Sequence, residues 1–360
     1  MIATRLTADA GAELPLIGGA MYPCSNPELV PAVSRAGGIG IVQPISLTFV
    51  YRHAFREGIR LIRTLTDRPI GMNALIEASS RSYRRRMEEW VDVALEEGIR
   101  FFVTSLGKPR WVVDRVAAVG GIVYHNVTDL RWGLKALDSG VHGFIAVNRN
   151  AGGHAGTLLP EALLVELADL GRPVVCAGGI GAPEDFVAAL RMGYAGVQMG
   201  TRLIATPECL CSEAYKQAIV KANADDIVLS ERITGVPLAV LDTPYVRRVG
   251  LKAGPVARWM LRGHRRKHWM RTLYALRSLF RLRRSSIVPT ATADYWQAGR
   301  SVAGIHEIKP VAQVLEEFGK AAIAAFPPGP SRPGTGENHP PLPATPAKKT
   351  EGENSEQGRR

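Results

Sequence analysis

Residues 173–201 read "PVVCAGGIGAPEDFVAALRMGYAGVQMGT". "PVVCA" is a short, continuous apolar run, and "AGVQM" is a second one. Between them, "PEDFVAALRM" carries apolar residues at helical spacing, opens on Pro183 and stops at Gly193. Proline suits the first turn of a helix, where its missing N–H is not needed, and glycine suits the end. Unbroken apolar character suits strands buried on both faces, the condition of a parallel sheet covered by helices. The stretch reads as strand, loop, helix, strand, with a glycine-rich loop after each strand.

The same unit recurs towards the N-terminus. "LPLIGGAM" begins at Leu14, "GIGIVQ" at Gly38, "PIGMNAL" at Pro69, "RFFVTS" at Arg100, "GIVYHN" at Gly121 and "GFIAVN" at Gly143. Helical patterns separate them. "NPELVPAVSRAGG" starts behind Asn26 with Pro27 inside it, and "RSYRRRMEEWVDVALEEG" ends at Gly98. "TDLRWGLKALDSG" opens on a Thr128/Asp129 cap and stops at Gly140. Eight such units over roughly 200 residues fit a (β/α)8 TIM barrel. An open doubly wound sheet is the alternative, although it more often has fewer strands and one glycine-rich phosphate loop after the first.

In a barrel, the C-terminal strand ends face the active site. Here they present Gly19-Ala20-Met21, Asn73, Thr104-Ser105, His125-Asn126, the loop "NAGGHAG" (150–156), Gly178-Gly179 and Gly200-Thr201. Neighbouring glycine-rich loops at the seventh and eighth ends expose backbone N–H groups, which bind phosphate. The alternative is that these glycines only make tight turns. Asn73 offers a donor and an acceptor to a flat heterocycle, and Gly19-Ala20-Met21 allows close approach to a ring. Glycines clear the space around His154, a proton acceptor or donor near neutral pH. His125 reads equally as a polar wall or a core residue. The eight histidines show no metal-ligand spacing, so no metal site is expected.

The chain has 360 residues, is 46% hydrophobic and carries a formal charge of +12. Residues 251–284 contain 11 Lys/Arg and no Asp/Glu, so the remainder carries only 12 − 11 = +1. A near-neutral globule with one basic segment is not a general nucleic-acid binder. In that segment Trp269, Leu273, Leu276 and Phe280 form a helical apolar stripe. The stripe either packs on the barrel or serves as a docking surface. Four cysteines, Cys24, Cys176, Cys209 and Cys211, with no CxxC pair and no His/Cys metal spacing, suit a reduced compartment. No signal peptide and no apolar run of about 18 residues is evident, so a cytoplasmic protein is expected, with peripheral membrane contact through the basic segment as an option. Beyond Pro327 the composition is that of a disordered tail.

The motifs "GGAM…NPELVPAVSRAGGIG", "GMN", "AGGHAG", "AGGIGAPEDFVAALRMGYAGVQMGTRLIATPE" and "ITGVP" together resemble the nitronate monooxygenase family, formerly the 2-nitropropane dioxygenases. These are FMN-dependent TIM-barrel enzymes, and the family includes the flavin-containing enoyl-acyl-carrier-protein reductase II group. The similarity runs from about Leu14 to Val246 and resumes at "YWQAGRSVAGIHEIKPVAQVLEEF". The resemblance implies FMN, with its phosphate at Gly178-Gly179 and Gly200-Thr201. The ring would lie near Gly19, Ala20, Met21, Asn73, Asn126 and Gly152, and His154 matches the family's catalytic histidine.

Two residues depart from the pattern. Asn150 stands where many members carry Glu, and Asn126 stands where the nitronate branch often carries Lys. The implied organisation is an FMN-binding barrel over 1–246, a basic helical insertion over 247–290, a segment packing back on the barrel over 291–326, and a disordered tail over 327–360. The expected activity is oxidation of alkyl nitronates with O2. The alternatives are NAD(P)H-dependent reduction of an enoyl thioester or quinone, and a flavin-binding module that docks a partner. The basic segment would offer an acidic carrier protein or an anionic membrane a surface.

Overall fold

In the computed structural model the eight expected strands run parallel and close into a barrel. They are β1 (Leu16–Gly18), β2 (Ile39–Val42), β3 (Ile70–Leu75), β4 (Phe101–Ser105), β5 (Ile122–Val127), β6 (Gly143–Val147), β7 (Val174–Ala177) and β8 (Gly196–Met199). Closure comes from β1 pairing with β8, Ile17 opposite Gln198. The structure describes residues 2–77, 81–232, 236–252 and 295–327. The stripe through Trp269 and the tail beyond 327 lie outside the described residues, as does part of "ITGVP".

Helices α1 (Arg5–Ala10), α2 (Leu29–Arg35), α3 (Phe55–Leu65), α4 (Arg81–Glu96), α5 (Arg110–Ala117), α6 (Leu130–Asp138), α7 (Pro160–Ala168) and α8 (Pro183–Met192) follow in order. Local chemistry sets their ends. Asp129 caps α6 by accepting the Trp132 N–H at 3.0 Å. Gly193 ends α8 with φ 106°, a conformation that glycine adopts without strain. Asn26 does not cap α2, which begins at Leu29. Its side chain instead bridges to the Glu208 carbonyl at 2.9 Å and the Leu210 N–H at 3.3 Å.

After β8 come α9 (Thr201–Ile204), α10 (Glu213–Lys221), β9 (Ile227–Ser230), β10 (Leu238–Leu241) and α11 (Pro244–Val249). β9 and β10 form an antiparallel pair outside the barrel. The last helix, α12 (Val311–Ala325), fills the eighth place in the helical ring. It packs on α8 through Phe318 and Phe186, whose rings lie 5.7 Å apart, and reaches the start of β2 through Leu315 beside Gly38.

Ile17, Ile39, Ile41, Phe101, Val103, Tyr124, Ile145 and Val175 fill the barrel interior. Gly143 makes room for the Tyr124 ring, since a Cβ there would lie 2.5 Å from it. The Tyr124 hydroxyl donates to Asp9 at 2.9 Å, and Leu6 and Ala10 of α1 join the interior cluster. The N-terminal mouth is thus plugged, which leaves the C-terminal mouth for chemistry. Successive strand residues alternate between the interior and the helix layer. With Ile41, Gly71, Tyr124 and Gly196 facing inward, the same parity turns Gln43, Asn73, Asn126 and Gln198 into the barrel at its open end.

Candidate active site

That inward polar layer forms the floor of the site. Asn73 is buried and sits within β3, two residues before the strand ends, rather than at its end. The Oδ1 of Asn126 and the Oε1 atoms of Gln43 and Gln198 are buried without a hydrogen-bond partner among the described residues. Buried acceptors are rarely left unpaired, and each such atom asks for a donor. These amide side chains, each with an oxygen acceptor and an N–H2 donor, suit a planar ring with N–H and C=O groups on its edge. Gly19 lies against Gln198, where a Cβ would come within 3.1 Å of its Cγ. The turn that carries Ala20 and Met21 is held by Ser25, whose Oγ accepts the Met21 N–H at 2.8 Å.

The β7 and β8 loops form one wall. Gly178 and Gly179 have φ of 117° and 88°, in the region that only glycine enters freely. The N–H groups of Gly181 and Ala182 are both taken by the Asp185 carboxylate at 2.9 Å, so α8 caps itself. The backbone N–H groups of Gly179, Ile180, Gly200 and Thr201 have no acceptor among the described residues. Four such N–H groups, on the loops of two neighbouring strand ends, are available to an anion. The Thr201 hydroxyl accepts the Gly299 N–H at 3.0 Å, which ties the C-terminal segment to this wall.

Asn148, at the end of β6, fixes the two glycine loops against each other. Its Nδ2 donates to the Gly178 carbonyl at 3.0 Å, and its Oδ1 accepts the Asn150 N–H at 2.8 Å. The side chain is fully buried. The His154 loop is then gripped from two sides. The Ala239 N–H of β10 donates to the Gly153 carbonyl at 2.7 Å, and the Arg300 N–H donates to the Asn150 carbonyl at 2.9 Å. Gly152 has no room for a side chain, since a Cβ would lie 2.9 Å from Gly299 N. The glycines around the histidine therefore serve backbone packing as well as access.

His154 is open to solvent at the mouth but stands within the surrounding loops. Their desolvating effect holds its pKa below the ordinary 6.5, so the ring is neutral at pH 7. His125 is settled as a core residue. Its parity points it to the helix layer, where its Nδ1 lies 2.8 Å from Thr104 Oγ1. Burial pushes its pKa down to about 4.

The structure therefore gathers Gly19, Ala20, Met21, Asn73, Asn126, Gly152, His154, Gly178, Gly179, Gly200 and Thr201 around the open end of one barrel. Four contributors escaped the sequence reading: Gln43, Asn148, Gln198 and the backbone of 297–301. Strand parity alone could have found Gln43 and Gln198.

A family model described as "Nitronate monooxygenase" matches residues 3–318. The chain is 30% identical over 259 residues to the (3aS,4S,5R,7aS)-5-hydroxy-7a-methyl-1-oxo-octahydro-1H-indene-4-carboxyl-CoA dehydrogenase of Mycobacterium tuberculosis, covering 71% of this chain and 70% of that protein. It is 29% identical over 277 residues to a nitronate monooxygenase of Pseudomonas aeruginosa, covering 64% of this chain and 77% of that protein. Among solved structures it is similar to FabK from Thermotoga maritima, with a TM-score of 0.74 and 27% identity over 90% of this chain and 97% of that one.

Proposed function

The chain belongs to the nitronate monooxygenase family of flavin-dependent oxidoreductases, and from that membership we propose that it binds FMN and oxidises alkyl nitronates with O2. The observation that carries this reading is His154, held on a glycine-cleared loop beside the N–H groups at β7 and β8 that no described residue accepts. When bound, FMN supplies the electron acceptor that protein side chains lack.

The chain's own residues supply the rest. The N–H groups of Gly179, Ile180, Gly200 and Thr201 hold the cofactor phosphate. Asn73, Asn126 and Gln198 meet the polar edge of the ring, whose N–H would pair one orphaned amide oxygen and whose carbonyls would accept from the amide N–H groups. The neutral His154 ring nitrogen accepts the α-proton of a nitroalkane, or its N–H donates to a nitronate oxygen. Asn150 and Asn126 bring no charge where relatives often have one, so proton handling falls to His154.

A second reading is chemistry α to the carbonyl of an acyl thioester. It is favoured by cations at the mouth that pair with no carboxylate among the described residues, and by the CoA-named relative. A protein that is colourless after purification and cannot be reconstituted with FMN would count against both readings. For yellow protein, anaerobic mixing separates them. Bleaching by propyl-2-nitronate supports the first, and bleaching by NAD(P)H or a saturated acyl-CoA supports the second. A protein that keeps FMN but is bleached by none of these fits the partner-docking alternative.

A further inference from the structure

The loops after β2, β3 and β4 carry a charge pattern that the flavin chemistry does not use. Residues 43–54, 76–87 and 105–109 contain Arg52, Arg81, Arg84, Arg85, Arg86 and Lys108 against one acid, Glu77. Residues 105–109, 43–54 and those leading into α4 all follow neighbouring barrel strands, whose C-terminal ends share one mouth. They touch one another. The Arg86 guanidinium lies 5.4 Å from the centre of the Phe49 ring, and the Ile76 N–H donates to the Ser105 carbonyl at 2.9 Å.

These cations are badly placed for stability alone. Four arginines crowd the N-terminal end of α4, where the helix dipole favours anions, and its first turn has no acidic residue. By contrast, α3 opens with Glu57, α7 with Glu161, and α8 with Glu184 and Asp185. Nor are most of them neutralised. Arg84 pairs with Glu88 at 2.9 Å, but Arg52, Arg81, Arg85 and Lys108 pair with no carboxylate among the described residues. Elsewhere arginines do pair: Arg56 and Arg60 of α3 bind Glu97, just past the C-terminal end of α4, at 2.7 and 2.9 Å. Arg52 is also held with φ 65°, a position that disfavours any non-glycine residue.

We propose that Arg52, Arg81, Arg85 and Lys108 seat the phosphorylated ribose of an adenosine diphosphate tail, the group that coenzyme A and NADPH share. Guanidinium forks match phosphate oxygens in pairs, and four free cations suit a multiply charged nucleotide. The rim lies across the mouth from β6–β8, so a long substrate anchored there would present its reactive end at the centre, towards His154. Leu106, more than half exposed beside Lys108, offers apolar surface along the way. The inference rests on the flavin reading of the site, not on the choice between nitronate and thioester.

The test is calorimetric titration of the FMN-loaded protein at low salt with two ligand pairs, CoA against dephospho-CoA and NADPH against NADH. The expected result is that the phosphorylated member of one pair binds at least about tenfold tighter. The advantage should shrink with added salt and vanish in R81A/R85A, with flavin absorbance and melting temperature unchanged. Discrimination in the CoA pair assigns the tail to the substrate; discrimination in the NADPH pair assigns it to the electron donor. Equal binding within both pairs overturns the proposal, as does a preference that survives R81A/R85A. Failure to take up FMN defeats the flavin reading instead, and the titrations on the apoprotein still report on the rim.

Discussion

Replacing Asn148 by Leu tests whether one buried amide holds the two glycine loops together. Leucine keeps the branching and heavy-atom count of asparagine but ends in bulkier methyl groups, so it leaves no room for a rescuing water. The change strips the Gly178 carbonyl of its donor at 3.0 Å and the Asn150 N–H of its acceptor at 2.8 Å. An orphaned buried group costs about 1–3 kcal/mol. Two of them, partly offset by the added apolar contact, give a net loss of about 2–4 kcal/mol. For a domain of this size about 2 °C is lost per kcal/mol, so the apoprotein should melt about 4–8 °C lower. Because Gly178 leads into the free N–H groups of Gly179 and Ile180, FMN affinity should fall as well. Thermal unfolding of the apoprotein and fluorescence titration with FMN measure the two effects separately. An apoprotein that melts within about 1 °C of wild type would refute the reasoning. A lower melting point with FMN affinity intact would confine Asn148 to stability.

His154→Ala should keep FMN and lose about 10²–10⁴-fold in turnover; unchanged turnover would remove the imidazole from the mechanism. Because the neutral ring is the active form and its pKa lies below 6.5, wild-type kcat/KM should hold steady above pH 6.5 and fall only on the acid side, as a pH–rate profile reads directly. His125 governs stability rather than rate. Its folded pKa of about 4 lies below the ordinary 6.5, so the unfolded chain takes up the proton first and stability falls as pH drops from 6.5 towards 4. The loss should approach about 3 kcal/mol, and urea titrations of His125→Asn should show a flatter pH dependence in that window. Thr201→Val orphans the buried Gly299 N–H at a cost of about 1–3 kcal/mol. Hydrogen exchange should then quicken at 297–304 before anywhere in β1–β8, and uniform protection would count against the tether.

The barrel was legible because its strands are unbroken apolar runs and its helices carry their own stops. The Asp129 cap, Pro183 and Gly193 act within a few residues of themselves, which is the range that sequence patterns report. The glycine loops were legible for the same reason. The polar floor was harder, since Gln43 and Gln198 look like ordinary ends of apolar runs until parity with Ile41 and Gly196 turns them inward. Asn148 read only as the last residue of the run "GFIAVN", because its partners, Gly178 and Asn150, come from two different loops. The β9–β10 pair was missed because its strands are short and its second strand reaches the His154 loop through a single bridge at Gly153 and Ala239. Asn26 misled because a capping residue type was used instead to join segments 182 residues apart.

The grip of residues 297–301 on the His154 and β8 loops has a consequence for how the enzyme is made. Every barrel strand and every side chain proposed to meet the cofactor lies before residue 202, yet Gly299 and Arg300 complete the walls by binding Thr201 and Asn150. A ribosome that has finished the barrel strands has about 100 residues still to add before those contacts exist, roughly 5–20 s of synthesis at ordinary rates. A nascent chain halted anywhere in that interval carries the whole recognition sequence without a finished wall around it. Cofactor retention thereby becomes a check on near-complete translation, and truncated products should emerge colourless.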